Sequence, residues 1–205
     1  MIKALLLIFR PVQTWGGIDS AKRSVAFILC LHLLPLLLIT SVAEGYGLMN
    51  WGKQHKGETS QVRTYELKQV IAIEVVQGVA LLGMVFLGAF AAKSFAETFH
   101  NRSKFREAFT AVAYGASPLL LMRLGDLFPS LSVWVPWAVG IVLMVSVLYL
   151  GLPCLLRPDP PHAFGLYVMT SLTLVVVNAI MRLFIYFFHK GNFPKLEQML
   201  NGLAS

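Results

Sequence analysis

Five stretches without a single Asp, Glu, Lys or Arg, at residues 24–43, 75–92, 108–122, 127–156 and 160–181, constrain this chain more than anything else in it. A helix needs about 20 apolar residues to cross about 30 Å of hydrocarbon. Backbone in lipid must also satisfy its hydrogen bonds internally, so such runs dictate helices. With their flanks they predict spans at 23–43, 70–93, 106–127, 131–154 and 163–188. The composition agrees, with 57% hydrophobic and 13% charged residues against about a quarter charged in a soluble domain. The expected fold is all-α: a polytopic membrane protein whose five-transmembrane-helix bundle fills residues 23–188. Crossing consumes nearly the whole chain and leaves no room for a soluble catalytic domain.

The flanking segments read as interfacial helices. Residues 1–9 resemble the apolar core of a signal peptide, but the core is short and Arg10 and Pro11 stand where small residues should follow, so the segment is read as retained. Val12, Trp15 and Ile18 then recur at helical spacing, which makes residues 1–22 an amphipathic N-terminal segment. Phe193, Leu196, Met199, Leu200 and Leu203 do the same for a C-terminal tail at 189–205. Residues 44–69 form the longest polar connection, with Ser60 as a candidate helix cap and Trp51 as an interface anchor.

The third span, preceded by Lys104, Arg106 and Glu107, reads FREAFTAVAYGASPLLLM from Phe105. Ala111, Gly115 and Ala116 lie close to one face, as in closely packed membrane helices. Pro118 removes a backbone donor, which lipid tolerates only where neighbours or hydroxyls compensate. This helix belongs at the centre of the bundle.

Orientation follows from Lys and Arg in short loops. With the N-terminus cytoplasmic and the C-terminus outside, nine basic residues fall inside and seven outside, Arg182 being intramembrane. The inner basic patch of Arg102, Lys104 and Arg106 is expected beside residues 11–23 on the anionic leaflet. The net charge of +7 sits at helix ends rather than in one tract, which fits membrane orientation and not nucleic acid. Cys30 and Cys154 lie in or at the edge of apolar runs and imply no disulfide framework.

Charges at span ends define a second candidate site. At about 1.5 Å per residue, Glu74, Arg123, Asp126 and Arg182 fall at one level in the outer third of the bundle. Gln77 lies one turn from Glu74, and Asn178 one turn from Arg182. The expected pairing is Glu74 with Arg182, leaving Arg123 to Asp126 within their own helix. His32 is expected as a neutral imidazole bonded to the carbonyl that Pro35 frees.

Soluble-enzyme chemistry is missing: there is no Gly-rich phosphate loop, no His pair at metal-ligand spacing and no CxxC. No metal and no cofactor are expected. Gly115-Ala116-Ser117 resembles a nucleophile on a tight turn, but His32 is deep in the first span and His100, His162 and His189 lie at helix ends. A Ser beside Pro in a span more often bonds a backbone carbonyl.

Three segments carry a family resemblance: Pro11-Val-Gln-Thr-Trp15 followed by Ile18; the central-helix motif of Phe109, Tyr114, Gly115, Ser117 and Pro118; and Tyr149-Leu-Gly151 closing the fourth span. In this order, across five spans, they resemble the Yip-one domain family, over roughly residues 5–190. Eukaryotic members are Golgi and endoplasmic-reticulum proteins associated with Rab GTPases and vesicle traffic. The Rab-associated branch carries a long acidic and aromatic N-terminal segment, whereas about 22 residues precede the first span here. The chain is therefore more similar to short prokaryotic members of an inner (plasma) membrane, without a Rab GTPase as partner. The resemblance implies no catalytic residues. The expected function is a non-enzymatic membrane scaffold or partner-recruiting protein, contacting membrane lipids, other membrane proteins or a second copy of itself. The alternative is a small transporter or channel-like protein using the intramembrane polar residues.

Overall fold

The computed structural model describes residues 2–50, 66–99, 103–128, 131–132 and 134–189 of the 205-residue chain. All regular structure among them is helical: α1 (Ile2–Phe9), α2 (Pro11–Ala21), α3 (Val25–Asn50), α4 (Leu67–Thr98), α5 (Phe105–Leu127), α6 (Trp134–Leu156) and α7 (Pro160–His189). The last five are each long and apolar enough to cross a membrane. The expected Ser60 cap, Trp51 and nearly all of the C-terminal tail lie outside the described residues.

We call the end of the bundle where α3 begins and α4 ends proximal, and the opposite end distal. Local chemistry starts several of the helices. Ser24 accepts from the Phe27 amide at 3.3 Å to begin α3, and the Lys104 amide donates to Glu107 at 3.0 Å to begin α5. Pro160, whose missing N–H costs nothing in a first turn, opens α7. Two helices outrun the spans predicted from charge-free runs. α3 continues past residue 43 to Asn50, and α4 covers Leu67–Thr98, because a charge with a partner need not end a helix.

α5 is the hub. Residues 108–121 are buried without interruption, and α3, α4 and α6 pack around it while α7 closes the outside against α4 and α6. Its small side chains permit this enclosure, since lipid offers no hydrophobic drive and close packing must hold the helices together. The helix breaks for one residue at Ala116 and resumes at Ser117–Met122, where Pro118 cannot donate. It ends in a 3₁₀ turn, Arg123–Leu127.

The N-terminal segment differs from a purely interfacial one. α2 packs on α6, with Trp15 and Ile18 buried and Val12 exposed. α1 packs against Ser117–Met122, beyond the midpoint of α5, and Ala4 and Leu7 have no exposed surface. The apolar residues that looked like a signal core thus complete the wall of the bundle.

Candidate functional site

At the distal end, the first residue of the 3₁₀ turn reaches two other spans at once. Arg123 donates from Nε to Glu44 Oε2 at 2.9 Å, and from Nη2 to Glu74 Oε2 at 2.9 Å and Gln77 Oε1 at 3.1 Å. The side chains are 11%, 0% and 9% exposed for Arg123, Glu44 and Glu74, so this ion triad is shielded from solvent. α3 comes this close because Gly47 has no side chain: a Cβ there would lie 2.7 Å from the Asp126 carbonyl oxygen. The cluster is incompletely matched. One guanidinium faces two carboxylates, and Glu74 Oε1, Gln77 Nε2 and Arg123 Nη1 are buried without a hydrogen-bond partner.

Beside it, Gln77, Arg123, Asp126, Asn178 and Arg182 help to line one cavity of about 50 Å³, whose remaining walls are Trp137 and apolar side chains such as Leu119 and Ile185. That volume accommodates ordered water, which needs about 10–15 Å³ for its centre and polar partners. Asn178 is fixed by the Trp137 indole N–H, donating at 2.7 Å, and its own amide reaches the Met84 sulfur at 3.5 Å.

The structure therefore gathers the residues expected at one level but pairs them differently. Glu74 binds Arg123 rather than Arg182, and Arg123 turns away from Asp126 towards α3 and α4. The reason is that a fully buried second acid, Glu44, draws the guanidinium inward. The sequence places Glu44 first in the polar connection 44–69. Its signal was present: Leu36, Thr40, Glu44 and Leu48 recur at four-residue spacing and all four are buried.

Around the middle of α5 the central-helix motif meets its neighbours. Phe109, Tyr114, Gly115, Ser117 and Pro118 are all buried. His32 lies in a π-helical turn, Leu29–Leu33, whose extra residue carries it towards α5. Its Nε2 is 2.8 Å from Ser117 Oγ, and its ring lies 4.1 Å from that of Tyr114. The expected bond to the carbonyl freed by Pro35 is replaced by this one. Ser117 in turn donates to the Ala113 carbonyl at 3.2 Å, which leaves Nε2–H as the donor of the His–Ser bond.

The other two motifs meet on α6. The Trp15 indole N–H donates to the Val147 carbonyl at 3.2 Å, and a Cβ on Gly151 would lie 2.3 Å from the indole ring. Gly115 is held as tightly by Leu148, 2.4 Å from where its Cβ would be. Residues from all three sequence motifs thus converge on 147–151. A family model described as the Yip1 domain matches residues 5–198. The chain belongs to the Yip1 domain family. Searches of curated proteins and of solved structures return no match. As a Yip1-domain protein with five apolar helices, it is an integral membrane protein.

Of the basic patch of this Yip1 domain, Arg102 lies outside the described residues, Lys104 is exposed and Arg106 is partly so. Arg106 Nη1 donates to the Lys22 carbonyl at 3.2 Å, and Arg157 Nη2 to Asp19 at 2.7 Å. Both contacts pin α2 across the proximal end.

Proposed function

We propose that this Yip1-domain protein is a non-enzymatic membrane organiser whose proximal, cytoplasmic face gathers anionic lipid and recruits membrane partners. One observation carries the reading. Lys22 (φ 41°) and Arg157 (φ 48°) are the non-glycine residues with positive φ among those described, and both sit in the contacts that pin α2. Left-handed backbone costs a non-glycine residue about 1–2 kcal/mol, and such strain persists where surrounding structure and use demand it. The result is a rigid surface on which Lys22, Arg23, Lys104 and Arg157 stand together with Arg106. Each basic residue near an anionic leaflet adds about 1 kcal/mol of attraction. N-terminus inside, C-terminus outside and an inner-membrane location accord with this use. The buried His32–Ser117 pair supports a structural rather than catalytic role, since Ser117 has no exposed surface and its hydroxyl is committed to Ala113.

The test is vesicle docking. Proteoliposomes displaying the proximal face should capture bare vesicles rich in phosphatidylglycerol over phosphatidylcholine vesicles, with capture lost at high salt. The triple substitution Lys104→Gln, Arg106→Gln, Arg157→Gln should abolish the preference. Equal capture of both vesicle types by wild type would overturn the reading. A transport reading is favoured by the charged side chains Arg123, Asp126 and Arg182 in the lining of the small cavity; solute or ion flux in sealed proteoliposomes that Glu74→Gln abolishes would establish it instead.

A further inference from the structure

α1 carries a single charge, Lys3, in an otherwise apolar helix, and Lys3 is partly buried next to Ala4, which has no exposed surface. Arg23 stands just before the Ser24 cap of α3. Its guanidinium carbon lies 4.5 Å from the centre of the Phe27 ring, and the guanidinium also interacts with the phenol of the buried Tyr114. Arg23 is thereby drawn back against α3 and α5. The same corner holds His32, whose imidazole is 4.1 Å from the Tyr114 ring and near both charges. The two cations feel each other: burial, and then the charge of Arg23, hold the Lys3 ammonium below the ordinary lysine value. We infer that Lys3 and Arg23 together bind the phosphate of one anionic phospholipid of the protein's own membrane, its acyl chains lying along the exposed apolar faces of α1 and α3.

The corner lacks an anion of its own. Among the described residues neither cation pairs with a carboxylate, and the nearby acids are engaged elsewhere: Asp19 by Arg157, Glu97 by Lys93, and Glu107 by Arg106 and the Lys104 amide. Asp159 precedes α7, which packs on α4 and α6. Two like charges at a low-dielectric boundary repel until an anion joins them. The level is that of lipid phosphates. α3 has 26 residues, about 39 Å at 1.5 Å per residue, and centred on about 30 Å of hydrocarbon it overhangs by about 4–5 Å at each end. Arg23, two residues before Val25, therefore stands in the head-group layer. Leu5, Leu6 and Phe9 on α1 and Leu31 on α3 are exposed, surfaces that acyl chains cover and a free phosphate does not. Charge narrows the choice further. A guanidinium takes phosphate as a fork and an ammonium as a point charge. A choline or ethanolamine head would bring a third cation to the corner, whereas a glycerol head brings only its phosphate's charge. The site shares Arg23 with the proposed docking face and rests on that reading of the proximal end as anion-seeking; Lys3 belongs to this site alone.

Native mass spectrometry of the protein released from nanodiscs with equal phosphatidylglycerol, phosphatidylethanolamine and phosphatidylcholine tests this. Wild type should retain one phosphatidylglycerol per chain, about 25-fold over phosphatidylcholine, since each of two basic residues supplies a factor of about five. Lys3→Gln and Arg23→Gln should each lower the preference about fivefold, and the double variant should bring the lipids to parity. Lys3→Arg should keep it, which separates charge from packing and decides the matter if Arg23→Gln fails to fold. Lys3→Gln should leave vesicle capture unchanged, and the triple variant at Lys104, Arg106 and Arg157 should keep its bound lipid, so the failure of either reading is told apart from that of the other. Excess inorganic phosphate should not displace the lipid. Parity of the lipids in wild type, a preference unaffected by Lys3→Gln, or displacement by inorganic phosphate would overturn the assignment.

Discussion

The middle and the distal end of α5 handle polar side chains in opposite ways. At the middle, Ser117 and His32 are neutral, pair with each other at 2.8 Å and serve two backbone irregularities, the π turn of α3 and the break before Pro118. At the distal end, Arg123 is charged, binds two acids from two other helices and leaves one donor of its own unpartnered. The first arrangement satisfies what packing created. The second costs desolvation that apolar packing would avoid; Gln77 and Arg123, two of its residues with an unmatched atom, line a small cavity, and the third, Glu74, lines an apolar groove. The family motifs sit around the first, whereas a small cavity and an apolar groove lie beside the second.

Substitutions can break or sharpen that contrast. Arg123→Gln should cost most, about 3–5 kcal/mol, because it strands two buried carboxylates; reversible unfolding in mixed micelles measures it. Gly151→Ala comes next at about 1–3 kcal/mol, since the added methyl would meet the rigid Trp15 indole. Loss of α2 docking should follow, seen as faster proteolysis near Arg10. Ser117→Ala should cost only about 0.6–1.5 kcal/mol, the range of a single neutral hydrogen bond in a membrane protein. A cost equal to that of Arg123→Gln would erase the difference between the two sites. Smallest is Gly16→Ala, where nothing lies within 4 Å of the new methyl; it should stabilise by about 0.4–1 kcal/mol through the unfolded chain.

Much of this architecture is legible in the sequence. Charge-free runs give five spans because lipid forces helices, and the small residues of α5 mark the one helix with neighbours all round. The depth of Glu74 and Arg123 could be read at a fixed rise per residue, which is why they fall in one cluster. Their pairing could not, since it depends on helix rotation and on Gly47 admitting α3 to the 3₁₀ turn. Glu44 falls outside the cluster that the sequence predicts, because the charge-free run ends at residue 43 while the helix runs on to Asn50. The His32–Ser117 bond joins residues 85 apart, and each had a sufficient local explanation in its neighbouring proline. Trp15 on Gly151 was hidden likewise: two motifs were visible, but not that one is the socket of the other.

The joining of three spans through Arg123 is tested most directly by a double-mutant cycle between Glu44→Gln and Arg123→Gln, read as unfolding free energy in micelles. A direct buried ion pair predicts a coupling of about 1–3 kcal/mol, with the double variant less damaged than the sum of the singles. Additivity within about 0.5 kcal/mol would contradict it.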